Sequence, residues 1–186
     1  MDTKKRIYLK ASEMFIDQGY DSTPMSQIAR EIGISKAGLY HHHPCKESLL
    51  FDVIDYFNKK NFIPIYEAAI KISDPEKRLL FFLEKFIVMM HTDASARISV
   101  HEAHKLEPDR FNEIKKTWQM TYDLLKDAIS EMQASGKVKK INSSFAAFAA
   151  IGMCSWMFYW IDYSRKDSPE ELVETFLEIF MRGIIK

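Results

Sequence analysis

At 186 residues, 47% hydrophobic and 28% charged, the chain is long enough for a sizeable core and too apolar for a disordered tail. Its 26 basic and 26 acidic residues cancel, which excludes a protein drawn to nucleic acid by its overall field. Two cysteines, Cys45 and Cys154, make no secreted-type framework, and Met1–Arg6 leads into an amphipathic pattern without an apolar targeting core. A reducing cytoplasm is the expected compartment.

In chain order, the first predicted helix runs from about Asp2 to Gln18, with Ile7, Ala11, Met14 and Phe15 on one face and Gly19 as its stop. Thr23 reads as an N-cap and Pro24 as the first residue of a second helix, in which Ile28, Ala29 and Ile32 form the buried face and Gly33 the end. Ser35 caps a third helix that Pro44 closes. A fourth opens at Lys46, carries Leu49, Leu50, Val53, Ile54 and Phe57, and is expected to stop before Pro64. Asp74-Pro75 begins a helix up to Met90-His91, shorter helical text covers about 95–105, and Pro108 opens a long helix to Ser135, closed by Gly136. Ser143 or Ser144 caps a helix through Tyr163, and Ser168-Pro169-Glu170-Glu171 is a capping box opening the last helix to Arg182-Gly183. No strand pattern and no repeat appears. The fold class is all-α, with about nine helices.

The second and third helices, joined by a glycine-centred turn, are a helix-turn-helix, whose second helix enters the DNA major groove. Residues 7–50 resemble the DNA-binding domain of the tetracycline-repressor (TetR) family of bacterial transcription regulators. The resemblance rests on Ala11, Met14-Phe15, Gly19-Tyr20, Thr23, Ile28-Ala29, Gly33-Ile34-Ser35-Lys36, Gly38-Leu39-Tyr40, Lys46-Glu47 and Leu49. It implies a homodimer that represses transcription until a small molecule binds its C-terminal domain. The division it suggests is a DNA-binding domain over residues 1–46 and a ligand-binding and dimerisation domain over residues 47–186. Two positions depart from the family pattern. His43 stands where an aromatic residue packs into the small core, and Cys45 stands where a better cap is usual, so some local loss of stability is expected.

Residues 1–50 hold seven Lys/Arg (Lys4, Lys5, Arg6, Lys10, Arg30, Lys36, Lys46) against six Asp/Glu, a balance of +1. Placement of a few groups must therefore carry specific binding. The expected DNA-binding residues are Thr23, Ser35, Lys36, Ala37, Gly38, Tyr40, His41, His42 and Lys46. Ala37 and Gly38 let the backbone approach base edges, and the glycine costs roughly 1 kcal/mol of helix propensity that such an approach would offset. Lys36 reaches a guanine edge or a phosphate, Tyr40 a phosphate, and His41 and His42 donate to either. Thr23 and Lys46 sit at helix starts, where backbone N–H groups attract phosphate. Each residue singly also reads as an ordinary solvated position. Adjacent residues of the His41-His42-His43 run point about 100° apart on a helix, so all three cannot converge on one ion. A two-ligand site with Cys45 is left as an alternative, no metal ligand is assigned, and Cys45 reads as a tolerated cap substitution in preference to a redox switch.

Residues 145–161 carry no charge. They read as a buried helix, being short for a membrane span, for which about 20 apolar residues are typical. Ala146, Ala149 and Ala150, with Phe176, Ile179 and Phe180 of the last helix, are the expected dimer interface. The other side of that helix supplies Met153, Trp156, Met157 and Trp160, facing Phe86, Met89, Met90, Trp118 and Tyr122, with His101 and His104 as polar groups of an apolar ligand pocket. Core packing explains each of these residues singly just as well. The Gly152, Trp156 and Trp160 spacing, with the Ser168–Glu171 start, is similar to family regulators of fatty-acid and acyl-CoA metabolism.

The expected function is a dimeric, ligand-responsive, cytoplasmic repressor with double-stranded DNA, a second copy of itself and a small apolar effector as partners, no cofactor and no membrane. The competing readings are a helical small-molecule-metabolising enzyme and a membrane-associated protein. No nucleophile elbow, phosphate-cradling loop or zinc spacing supports the first, so no catalytic residue is assigned. The second rests on residues 145–161 alone.

Overall fold

The computed structural model describes residues 2–157 and 168–185. It contains α1 (Thr3–Gln18), α2 (Met25–Ile32), α3 (Lys36–His42), α4 (Lys46–Phe57), α5 (Ile63–Ala69), α6 (Pro75–Thr92), α7 (Ala94–Glu102), α8 (Pro108–Ala134), α9 (Ser143–Trp156) and α10 (Pro169–Ile184). A π-helical segment, Asn58–Phe62, joins α4 to α5, so residues 46–69 are one helical run, and a 3-10 turn, Ala103–Lys105, continues α7. Counted as continuous runs, the described residues hold nine helices and no strand, as the sequence patterns predict. One isolated bridge pairs Val138 with Ile185.

The chain divides into two compact units. The first comprises residues 1–59 and 94–115. Ile7, Ala11, Met14 and Phe15 of α1 pack with Ile28, Ala29 and Ile32 of α2, Leu39 of α3, and Leu49, Leu50, Val53 and Ile54 of α4. Ile98, Ala103, Leu106 and Ile114, from the later segment, belong to the same core. All of these are buried, so the helical spacing of apolar residues located the faces correctly.

The second unit comprises residues 60–93 and 116–186. Here α6 packs against α5, α9 and α10. Phe62, Leu79, Phe82, Ile87, Leu125, Ile129 and Met132 are almost fully buried, and Phe82 stacks on Phe86 at 5.4 Å. Lys139 closes one end of the unit. Its backbone N–H donates to Ile184 (2.7 Å), and its ammonium reaches the Gly183 carbonyl (3.1 Å) at the carbonyl end of α10, where a cation is favoured.

Several helix boundaries differ from expectation, each for a local reason. The helix that begins at Lys46 does not stop before Pro64. The π-helical turn widens the backbone ladder at Asn58–Phe62 and sets Pro64 in the first turn of α5, where its missing N–H is not needed. Asn142, rather than Ser143 or Ser144, caps α9, its Oδ1 accepting the N–H groups of Ser144 (3.0 Å) and Phe145 (3.2 Å). Ser168 caps α10 as expected, accepting the Glu171 N–H at 3.4 Å. The part of the predicted helix from residue 158 to Tyr163 lies outside the described residues.

Candidate nucleic-acid interface

Two local devices shape the turn between α2 and α3. Gly33 adopts φ 72°, a left-handed conformation that only glycine takes at little cost, and Ile34 N–H returns to the Ala29 carbonyl at 3.0 Å. Ser35 Oγ then accepts the Gly38 N–H at 3.0 Å and starts α3. Arg6 of α1 donates to the Ile32 carbonyl at 2.5 Å, holding the end of α2. Leu39 is fully buried and fixes α3 on its neighbours. Ser35, Lys36, Ala37, Tyr40, His41 and His42 are exposed and Gly38 is half-exposed, so the expected contact residues of α3 are open to solvent. The Lys36 ammonium stands 5.7 Å from the Tyr40 ring centre.

Gly38 has a reason for its identity that the sequence did not reveal. A Cβ built there would lie 3.2 Å from Ser35 Oγ, crowding the oxygen that caps the helix.

Thr23 requires a correction. It is not the N-cap of α2 and presents nothing outward. Pro24 occupies the cap position, without a capping side chain, while Thr23 is fully buried and its hydroxyl reaches the carbonyl oxygens of Gly19 (2.8 Å) and Met14 (3.3 Å). Turning inward satisfies a buried carbonyl that α1 leaves at its end.

Of the two departures from the family pattern, Cys45 is better accommodated than expected, whereas the buried His43 leaves both ring nitrogens without a hydrogen bond among the described residues. Cys45 does cap α4. Its Sγ accepts the Ser48 N–H (3.4 Å), and Ser48 Oγ accepts the Cys45 N–H (3.4 Å) in return. His43 is 1% exposed and sits in the core where the aromatic would be, edge-on to Tyr8 at 5.7 Å, with Nδ1 3.1 Å from Asp52 Oδ2. His43 thus turns inward while His41 and His42 face out. Among the described residues no group of three or more His, Cys, Asp or Glu is placed to hold a metal ion.

Lys46 is partly buried at the start of α4. Its ammonium lies 4.4 Å from the Tyr20 ring centre and donates to the Asp21 carbonyl at 3.1 Å. Burial is the main reason it holds its proton less firmly than an ordinary lysine. Next to it, Glu47 accepts from the Glu107 backbone N–H (3.2 Å) and from Arg110, which bind α4 to the beginning of α8 inside the first unit. The sequence had not marked Arg6, Asp21, Lys105 or Arg110, because their partners are distant in the chain.

In the second unit the expected ligand and dimer residues are sorted by burial. Phe86, Met90 and Met157 are buried, while Met89, Tyr122 and Met153 are half-buried. Trp156 is 63% exposed, so it does not face inward with Met153; it lies on the outer side of α9 with Phe148, Ala149 and Gly152. Trp118 is also an exposed residue, on α8. His101 and His104 belong to the first unit, on α7 and its 3-10 turn, and not to the unit that carries the methionines. Burial lowers the His101 pKa, with Arg97 adding to the effect. Trp160 lies outside the described residues.

The expected dimer residues divide in the same way. Ala149 and Ile179 are exposed and Ala146 is half-exposed, but Ala150 and Phe180 are buried within the chain itself. Ala150, Phe176 and Phe180, together with Met153, line a small apolar recess having about 10 Å³ of open room, about what one water molecule needs. The helical period explains the split: Ala150 and Phe180 point toward α6, and the outer stripe of α9 is instead Phe145, Phe148, Ala149, Gly152 and Trp156. Burial in this apolar unit also pushes the Cys154 thiol up to about 12. No helix among the described residues is long and apolar enough to cross a membrane.

Comparison with known proteins accords with this geometry. Residues 7–53 match the family of bacterial regulatory proteins of the tetR type, and residues 73–184 match the tetracyclin repressor-like C-terminal domain. The transcriptional activator FasR of Mycolicibacterium smegmatis is 24% identical over 98% of this chain and 83% of its own. The transcriptional repressor KstR2 of Mycobacterium tuberculosis is 29% identical over 65% of this chain and 64% of its own. Among solved structures, AibR in complex with isovaleryl coenzyme A and operator DNA superposes with a TM-score of 0.88 at 24% identity, covering 96% of this chain and 97% of that one. An N-terminal helix-turn-helix and a C-terminal helical domain, each matched in its own right, place the chain in the TetR family of bacterial transcription regulators.

Proposed function

We propose that the protein is a homodimeric DNA-binding repressor whose α3 enters the major groove and whose C-terminal part, beyond about residue 46, binds a small apolar effector and forms the dimer. The observation that carries the reading is the outward surface of α3. Lys36, Ala37, Tyr40, His41 and His42 stand free of the core while buried Leu39 anchors the helix behind them. Ser35 and Gly38 shape its first turn, and Lys46 offers an ammonium at the start of α4. Thr23 contributes by holding the α1–α2 turn.

Two copies would set recognition helices roughly 34–36 Å apart on a pseudo-palindromic duplex. Support for dimerisation is the outer stripe of α9 with Ile179 of α10, a run of large apolar side chains exposed on one chain. An effector of fatty-acyl character accords with the acyl-coenzyme A and operator DNA carried by AibR, and with the methionines and aromatic residues of the second unit. An enzymatic role finds no support in names of relatives, which are those of transcription regulators.

The test begins with selection of a duplex from a random-sequence pool by the wild-type protein. Lys36→Ala should weaken binding to that duplex about 10-fold or more, a base contact being worth about 1–3 kcal/mol, and Tyr40→Ala should weaken it through loss of a phosphate contact, while the circular-dichroism helix signal stays unchanged. Equal affinity for wild type and both variants would remove α3 from the interface. A thermal-shift and DNA-release screen of fatty acids, acyl-coenzyme A esters and aromatic compounds tests the effector. If none moves either signal, the methionines and aromatic residues are core.

A further inference from the structure

Around Tyr20, at the end of the α1–α2 turn, the first unit gathers charges that α3 does not use. The ammonium of Lys46 stands 4.4 Å and that of Lys105 5.1 Å from the centre of the Tyr20 ring. Lys105, on the 3-10 turn after α7, is 84 positions downstream of Asp21 and pairs with its carboxylate. It also pairs with Glu102 at 2.9 Å. Lys46 is placed differently. Its ammonium donates to the backbone carbonyl of the same Asp21, at 3.1 Å, and among the described residues it forms no ion pair. One residue thus serves both lysines, giving its carboxylate to one and its carbonyl to the other.

The Asp21 side chain is 78% exposed, so it is held by Lys105 and not by packing. Its carboxyl lies below the usual carboxylate range, chiefly because Lys105 hydrogen-bonds to it. Were Lys105 absent, the nearest ammonium would be that of Lys46, already in contact with the Asp21 backbone. An aspartate needs only rotation about its two side-chain bonds to reach it.

We propose that Lys105 is a positioning residue for DNA binding: by taking up the Asp21 carboxylate it leaves Lys46 without a carboxylate partner and so available to a phosphate. The inference rests on the reading of this unit as the DNA-binding part, with Lys46 among its contacts. Magnitudes favour this role over a purely structural one. The Asp21 end of the pair lies in solvent, where an ion pair contributes little to stability, so losing Lys105 leaves the unit folded. A lysine withdrawn from phosphate, by contrast, removes a counterion-release contribution from every protomer bound.

The experiment uses the duplex selected by the wild-type protein and measures affinity against salt concentration. Lys105→Met should bind about three- to tenfold more weakly, with the slope of log K against log[salt] reduced by about one per protomer. Adding Asp21→Asn to that variant removes the competing carboxylate and should bring both affinity and slope back to within about twofold of wild type. Wild-type affinity in Lys105→Met, or failure of Asp21→Asn to rescue it, overturns the proposal. A second readout needs no DNA. In an NMR titration of the Asp21 carboxyl, the midpoint should stay below the ordinary carboxylate range in Lys105→Met, because Lys46 takes the carboxylate over, and rise when Lys46→Met is added. A midpoint that returns to the ordinary range in Lys105→Met overturns the proposal. If the wild-type protein selects no duplex at all, the DNA-binding reading fails, while the Asp21 titration still decides whether Lys46 takes up the carboxylate that Lys105 releases.

Discussion

Thr23 carries its hydroxyl into a fully buried site and satisfies the Gly19 carbonyl at 2.8 Å. Thr23→Val keeps the shape and leaves that carbonyl unpaired, at a cost of about 1–3 kcal/mol. Urea unfolding should show the loss, with unchanged affinity for the selected duplex per folded molecule; a stable variant with weakened binding would return Thr23 to the interface. Tyr20 supplies a pH test. Its phenol is pushed up from 10.0 to about 12, first by burial and then by the nearby Glu47, Cys45 and Asp21, with Lys105 opposing. Because the folded pKa lies above the unfolded one, the neutral phenol stabilises the fold below about pH 10. That contribution is lost as pH rises toward 12. Tyr20→Phe should therefore flatten the alkaline limb of a stability-against-pH profile. An identical limb in wild type and variant would show that Tyr20 does not set it.

At the scale of elements, α3 combines two demands at Gly38. An alanine there gains about 0.8–1 kcal/mol of helix propensity, but its Cβ would meet the Ser35 capping oxygen at 3.2 Å. These effects oppose each other, so Gly38→Ala should unfold within about 1 kcal/mol of wild type. If the backbone also lies against base edges, affinity for the selected duplex falls about tenfold or more. Unchanged affinity would mean that the glycine serves the cap alone. The α1–α2 turn shows a related division of labour: Thr23 works inward, Lys46 covers Tyr20, and Lys105 holds Asp21 from a segment far along the chain.

For the whole molecule, the outer and inner faces of α9 and α10 lead to opposite expectations. Ala149 is exposed on the apolar stripe, so Ala149→Arg should give a folded monomer by sedimentation, with DNA affinity lost alongside the dimer. Phe180 is buried within the chain, so Phe180→Ala should cost about 3–5 kcal/mol of stability, while the residual folded protein still self-associates. A dimeric, fully stable Ala149→Arg variant at low micromolar concentration would move the interface elsewhere. A monomeric but stable Phe180→Ala variant would put Phe180 in it.

The sequence by itself determined the family, the all-helical class and the faces of the first-unit helices. These rest on local physics: the 3.6-residue period of Ile7, Ala11, Met14 and Phe15, the left-handed turn at Gly33 and the cap at Ser35. It also located the exposed residues of α3, since a short capped helix with one buried leucine leaves few other arrangements. Tertiary structure decided the rest. Which side of the uncharged α9 turns inward has no signal in a helix apolar all round; contact with α6 buries Ala150 and leaves Trp156 outside. That Thr23 faces inward, that Cys45 can cap, and that Lys105 meets Asp21 depend on atoms brought together by folding. Periodicity reports which face is apolar, but partner choice is set by geometry among residues far apart in the chain.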